Sequence, residues 1–148
     1  MELLKDFQIK DIIITEDFKN TTPGSRKMER AEQRYIRTGE LQTVIVVNDE
    51  NVLIDGYITY LLAVKYGIKQ IDVYRGYAEL VEAVHYAGST RVYKWRVPLR
   101  LTGMLETGDY IIVPTVRGAK RVRVTKIIRQ QYPEQTYRLK NVIKKCNR

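Results

Sequence analysis

The sequence predicts an α+β fold: an α+β domain over residues 1–76, followed by a small, basic, β-barrel-like domain over residues 77–148. Three observations lead there. Over the first 75 residues or so, short β-branched runs alternate with helically spaced apolar stripes in the order β-β-α-β-β-α-β. Beyond that point the chain breaks into short apolar runs punctuated by glycine, the pattern of a small closed sheet. The charge divides in the same way. Residues 91–148 hold 15 Lys and Arg against three acids, whereas residues 1–90 hold 11 against 14. The charge change near residue 90 marks the expected boundary, which falls anywhere from 76 to 100.

Each element has a local reason. Phe7-Gln8-Ile9 alternates and opens a strand, and the β-branched Ile12, Ile13 and Ile14 predict a buried strand over residues 11–15. The turn cluster of residues 20–25 precedes a helix whose apolar stripe is Met28, Ala31, Tyr35 and Ile36. Arg26, Lys27, Glu29, Arg30, Arg34 and Arg37 fill its other face, and Gly39 ends it. Residues 43–47 form a nearly continuous apolar run, as in a strand covered on both sides. Residues 48–51 make a turn and Val52-Leu53-Ile54 the returning strand. Asp55-Gly56 opens a second helix, which Gly67 stops, and Ile71-Asp72-Val73 is a further short strand.

In the second half, residues 77–86 and 91–97 read as strands separated by Gly88-Ser89, and residues 110–114 as another. A turn around Gly118 leads into the basic/apolar alternation Arg121-Val122-Arg123-Val124-Thr125. In a strand this aims Val122 and Val124 at a core and the arginines away from it. The alternation slips near Lys126-Ile127-Ile128, where a β-bulge is expected. Residues 138–148 form a short final element and a basic tail.

The chemistry-bearing residues point away from catalysis and from metals. The lone Cys146 forms no internal disulfide and no thiolate cage, and a reducing cytoplasm is the simplest setting. His85 is the single histidine, with no Cys/His partners at ligand spacing, so no metal is expected. Ser25 and Ser89 lie in plain turns rather than a nucleophile elbow, and no Walker-type loop is present. Asp49-Glu50 reads as a solvated turn rather than a Mg²⁺ site. No cofactor is expected. Apolar runs fall short of the roughly 18 residues a membrane helix needs, and no secretory leader is expected from the first residues.

The basic second half predicts a polyanionic partner: nucleic acid, DNA or RNA, or an acidic protein surface. Lys94, Arg96, Arg117, Lys120, Arg121, Arg123, Lys126 and Arg129 are its candidate contacts. Six phosphate contacts on duplex DNA would give a log–log salt slope of about −5 and little sequence preference. Tyr93 and Trp95 share one strand face among cations. Buried, they are core; exposed, they stack on bases.

The stretch Tyr35-Ile36-Arg37-Thr38-Gly39-Glu40-Leu41, the strand 44–47, Asn51-Val52-Leu53-Ile54-Asp55-Gly56-Tyr57 and Tyr60-Leu61-Leu62-Ala63-Val64-Lys65-Tyr66-Gly67 together resemble the N-terminal region of ParB-like proteins, which share a fold with sulfiredoxin. The resemblance covers about residues 7–75. It implies an α+β domain and a nucleotide pocket just after the Asp-Gly pair. There ParB carries Glu-Arg-Arg and sulfiredoxin Cys-His-Arg; here stand Tyr57, Ile58 and Thr59. The thiol nucleophile and the phosphate-gripping guanidiniums are absent. Asp55, Gly56, Tyr57 and Thr59 are what remains of the pocket. Asp55 reads either as a helix cap or as part of a vestigial nucleotide site.

The stretches 93–98 and 108–115, with Arg117-Gly118, resemble small Src-homology-type barrel modules attached to ParB-like domains in bacterial and phage proteins. These resemblances imply a non-catalytic nucleic-acid-binding accessory protein of a bacterium, phage or plasmid. The alternatives are a protein–protein adaptor, or an inhibitor of a host nucleic-acid enzyme such as a defence nuclease. A ParB-like nucleotide hydrolase or a nuclease ranks third.

Overall fold

The computed structural model describes residues 1–41, 43–131 and 139–147. It contains both helices and sheets and divides into two compact units, one built on Met1–Tyr77 with Gln131, the other on Ala78–Gln130 and the C-terminal stretch. Among the described residues no helix is long and apolar enough to cross a membrane.

The first unit holds β1 (Glu2–Gln8), α1 (Glu16–Lys19), α2 (Ser25–Thr38), β2 (Ile45–Val47), β3 (Leu53–Asp55), α3 (Tyr57–Lys65) and β4 (Gln70–Arg75). Its sheet runs β1-β4-β2-β3, with β2 parallel to β4 and the other pairs antiparallel. Ile45, Val47, Leu53, Ile54 and Val73 are fully buried in it. The tight β2–β3 turn is closed by Asn48, whose side-chain oxygen accepts from the amides of Glu50 and Val52. Asp49 and Glu50 lie exposed on that turn.

The strand expected over residues 11–15 does not form. Ile9–Asp11 makes a 3-10 turn, and only Ile13 touches the sheet, through an isolated bridge to Val52. Ile12 is buried while Ile13 is 52% exposed. Their β-branched side chains thus serve a chain passing the sheet edge rather than a ladder.

α2 packs through Met28, Ala31, Glu32 and Tyr35, the positions of lowest exposure on the helix. Tyr35 meets Tyr66 with ring centres 4.8 Å apart, and Glu32 accepts from the Lys65 ammonium and the Tyr66 hydroxyl. Gly39 ends the helix at φ 74°, donating its amide to the Tyr35 carbonyl.

The second unit holds β5 (Ala78–Val84), β6 (Tyr93–Val97), β7 (Tyr110–Thr115), β8 (Gly118–Gln130) and β9 (Lys144–Lys145), in the order β6-β5-β8-β7-β9. Its core joins Val81, Ala83, Trp95, Val97, Ile111, Val113, Val122, Val124 and Val142. The expected barrel is not present as a closed ladder. The sheet is open, and its edges approach where Arg96 bridges Asn141, with Val142 donating to the Arg96 carbonyl. The expected bulge lies one residue early. Ala83 pairs with Val124 and Glu82 with Lys126, so Thr125 is the extra residue, and its hydroxyl donates to the Glu82 carbonyl.

Candidate nucleic-acid interface

The second unit gathers aromatic and cationic side chains at one end of its sheet. Along β6 the alternation puts Tyr93, Trp95 and Val97 on the core face and Lys94 and Arg96 on the other. Trp95 is buried, with its indole N–H donating to the Pro114 carbonyl at 3.3 Å, whereas Tyr93 at the strand's start stays 38% exposed. The two readings of this pair thus divide: Trp95 is core, and Tyr93 is a partly exposed rim residue with the Arg91 guanidinium 5.7 Å from its ring centre. His85 meets both rings edge-on, 5.4 Å from Tyr93 and 6.4 Å from Trp95.

The β7–β8 turn supplies the opposite wall. Thr115 accepts from the Arg117 amide and donates to the Gly118 carbonyl, and Gly118 adopts φ 97°, which a side chain would resist. This tight closure leaves Val116 98% exposed at the tip and brings Arg117 and Lys120 beside the aromatic cluster. The result is a groove of ≈ 670 Å³, with Tyr93, Trp95, Pro114, Arg117, Lys120 and Lys140 among its walls. Among the described residues no carboxylate lines it.

A smaller cleft of ≈ 350 Å³ shares His85 with this groove and is walled by Tyr86, Tyr110, Arg121 and Arg123. Arg121 and Arg123 face away from the core because Val122 and Val124 face into it. The Arg121 guanidinium lies 3.9 Å from the centre of the Tyr110 ring, and among the described residues this cleft too has no carboxylate in its lining.

The eight candidate contacts therefore separate. Lys94, Arg117 and Lys120 line the groove, and Arg121 and Arg123 line the cleft. Lys94 also stands 3.9 Å from Glu82, and Arg129 donates to Glu79, a carboxylate only 2% exposed that also accepts from the Gly103 amide. Lys126 is exposed opposite Glu82 in the ladder. Arg96 is half-buried, and its backbone makes the bridge to Asn141. The sequence pattern did not single out His85, Pro114 and Lys140 as neighbours of the cations. Only the return of the chain beside β6 brings them there.

In the first unit, Asp55 closes β3 and accepts from the Gly56 amide at 2.8 Å. The cap position of α3 belongs to Gly56, one residue later, so Asp55 is not the helix cap. Gly56 holds φ 90°, and a Cβ there would stand 2.5 Å from the Val44 carbonyl. Tyr57 packs on Phe18 at 5.1 Å between ring centres. Thr59 is 2% exposed and donates to the Thr43 carbonyl at 2.9 Å. Tyr57 and Thr59 thus pack and bond within the unit.

A family model described as a family of unknown function (DUF5839) matches residues 81–148. No curated protein matches the chain. Among solved structures, the chain is similar to one described as the C2221 form of a Pnob8-like ParB-N domain, at 22% identity and TM-score 0.41, over 51% of this chain and 31% of that one. It is also similar to a pNOB8-like ParB N-domain, at 23% identity and TM-score 0.40, over 51% of this chain and 28% of that one. The chain thus spans less than a third of either solved chain.

Proposed function

We propose that this chain is a non-catalytic nucleic-acid-binding accessory protein whose second unit holds a single strand by its phosphates. The observation that carries the reading is the pairing of Arg117 and Lys120 with the partly exposed ring of Tyr93, itself under the Arg91 guanidinium, in one groove that no carboxylate lines among the described residues. A strand offers anionic phosphates on one side and flat bases on the other, and this wall chemistry matches both. Arg121 and Arg123 extend the cationic surface through the cleft that shares His85. The bridge between Arg96 and Asn141 supports reading the unit as a small barrel-like module. In the first unit, the engagement of Tyr57 and Thr59 in packing supports a ParB-like scaffold without nucleotide chemistry.

The test is fluorescence anisotropy of a labelled single-stranded oligonucleotide in rising salt. Four phosphate contacts give a log–log slope of about −3 on a single strand. The double substitution Arg117→Ala with Lys120→Ala lowers the magnitude of that slope by about 1.4, and Tyr93→Leu weakens binding by about 1–3 kcal/mol if its ring stacks on a base. Affinity indifferent to salt would remove the reading.

A second reading, an adaptor docking on an acidic protein surface, is favoured by Val116, an almost fully exposed apolar side chain beside the groove. Such a partner would use Val116 as an anchor, so Val116→Ser would weaken it while leaving the salt slope of oligonucleotide binding, which Arg117 and Lys120 set, unchanged.

A further inference from the structure

The first unit carries its own row of cations. Arg26, Arg30, Arg34 and Arg37 project from α2 at intervals of four, four and three residues, the spacing that aligns side chains along one helix face. All four are exposed and face away from the packing side of Met28, Ala31, Glu32 and Tyr35. With Glu29 and Gln33 they border a shallow channel of ≈ 690 Å³. Glu32, the helix's other acid, is on the packing side and taken by Lys65 and Tyr66, so it does not neutralise the row.

The row is unfavourable for the helix itself. Like charges three or four residues apart destabilise a helix, and a packing role would not require arginine at four successive ridge positions. We propose that this face of α2 is a docking surface for the phosphate backbone of duplex nucleic acid. The four guanidiniums span about 16 Å at the helical rise per residue. A duplex presents phosphates continuously over that distance, and each guanidinium can grip one through two hydrogen bonds. A protein interface would be expected to place apolar or aromatic residues at its centre, and a membrane-surface helix needs an apolar face opposite its cations. The channel lining has neither aromatic nor aliphatic side chains, which also sets it apart from the stacking groove of the second unit. Gln33, central in the row, supplies a neutral donor and acceptor to a sugar or base edge.

The experiment uses the full chain and anisotropy of a labelled DNA duplex in rising salt. Arg30→Ala with Arg34→Ala removes two contacts and keeps strong helix formers, so circular dichroism should show the helix content retained. Duplex affinity is expected to fall about tenfold and the salt slope to shrink by about two, with Arg30→Lys and Arg34→Lys restoring the slope. Unchanged duplex affinity and slope in the alanine variant, or a wild-type chain whose duplex binding ignores salt, would overturn the inference. The single-strand reading is judged separately: its variants Arg117→Ala and Lys120→Ala lie in the other unit and are read on the single-stranded probe.

Discussion

Arg121 lies over the ring of Tyr110, its guanidinium carbon 3.9 Å from the ring centre. The two residues sit on adjacent strands but are not direct partners: Tyr110 pairs with Arg123, so Arg121 reaches it diagonally along the same face. The ring holds the arginine outward without neutralising it. A double-mutant cycle of Tyr110→Leu and Arg121→Ala is expected to give a coupling of about 0.5–1 kcal/mol in chemical denaturation. Strict additivity would show that the stacking contributes nothing in solution.

Arg129 and Arg117 should behave oppositely. Arg129→Ala strips the nearly buried Glu79 of its cation and should cost about 1–3 kcal/mol of stability, the lower end reflecting the solvent that reaches Arg129. Nucleic-acid affinity, measured by anisotropy on folded protein, should change little. Arg117→Ala should lower affinity and leave the unfolding midpoint near wild type. The reverse pattern would mean that the ladder, not the ion pair, decides where Arg129 points.

Gly56→Ala is expected to destabilise the first unit by at least about 2 kcal/mol, because it combines a left-handed backbone with a Cβ driven onto the Val44 carbonyl. Urea unfolding followed by circular dichroism measures it. An alanine variant as stable as wild type would mean that β2 can retreat from the turn at no cost.

Glu32 ties α2 to α3, and its carboxyl is held below the usual carboxylate range by hydrogen bonds from Lys65 and then Tyr66. The bond to Glu32 raises the Lys65 ammonium, while partial desolvation and then Glu32 raise the Tyr66 phenol. A lowered carboxyl contributes stability above its unfolded value and loses it as pH falls through the folded one. The two raised groups contribute fully below their unfolded values and lose it as pH rises through the folded ones. Glu32→Gln should therefore flatten both the acid and the alkaline limbs of the melting-temperature profile. Solvent reaches all three groups, so added salt should shrink the difference.

Much of this fold was written in local pattern. The alternation through Val122 and Val124 named the inward residues of β8, and Gly39 and Gly67 stopped the helices where left-handed residues are needed. Ile12, Ile13 and Ile14 misled because β-branching records the fit to a pleated surface, not the presence of a partner strand. The candidate contacts were legible as cations but not as a surface. Whether an arginine is free depends on a carboxylate 50 residues away, as for Arg129 and Glu79, and no local pattern reports that. The α2 row was readable from its spacing, yet the net acidity of residues 1–90 masked it: charge summed over a segment hides charge sorted by face.

Thr125 decides which arginines of β8 look outward. Unbroken pairing onward from Val124 would set Lys126 against Val81 and Ile128 against Glu79, burying an ammonium and leaving a carboxylate facing an isoleucine. The extra residue resets the phase, so Ile127 meets Val81 and Arg129 meets Glu79. Two stretches of opposite parity thereby share one strand.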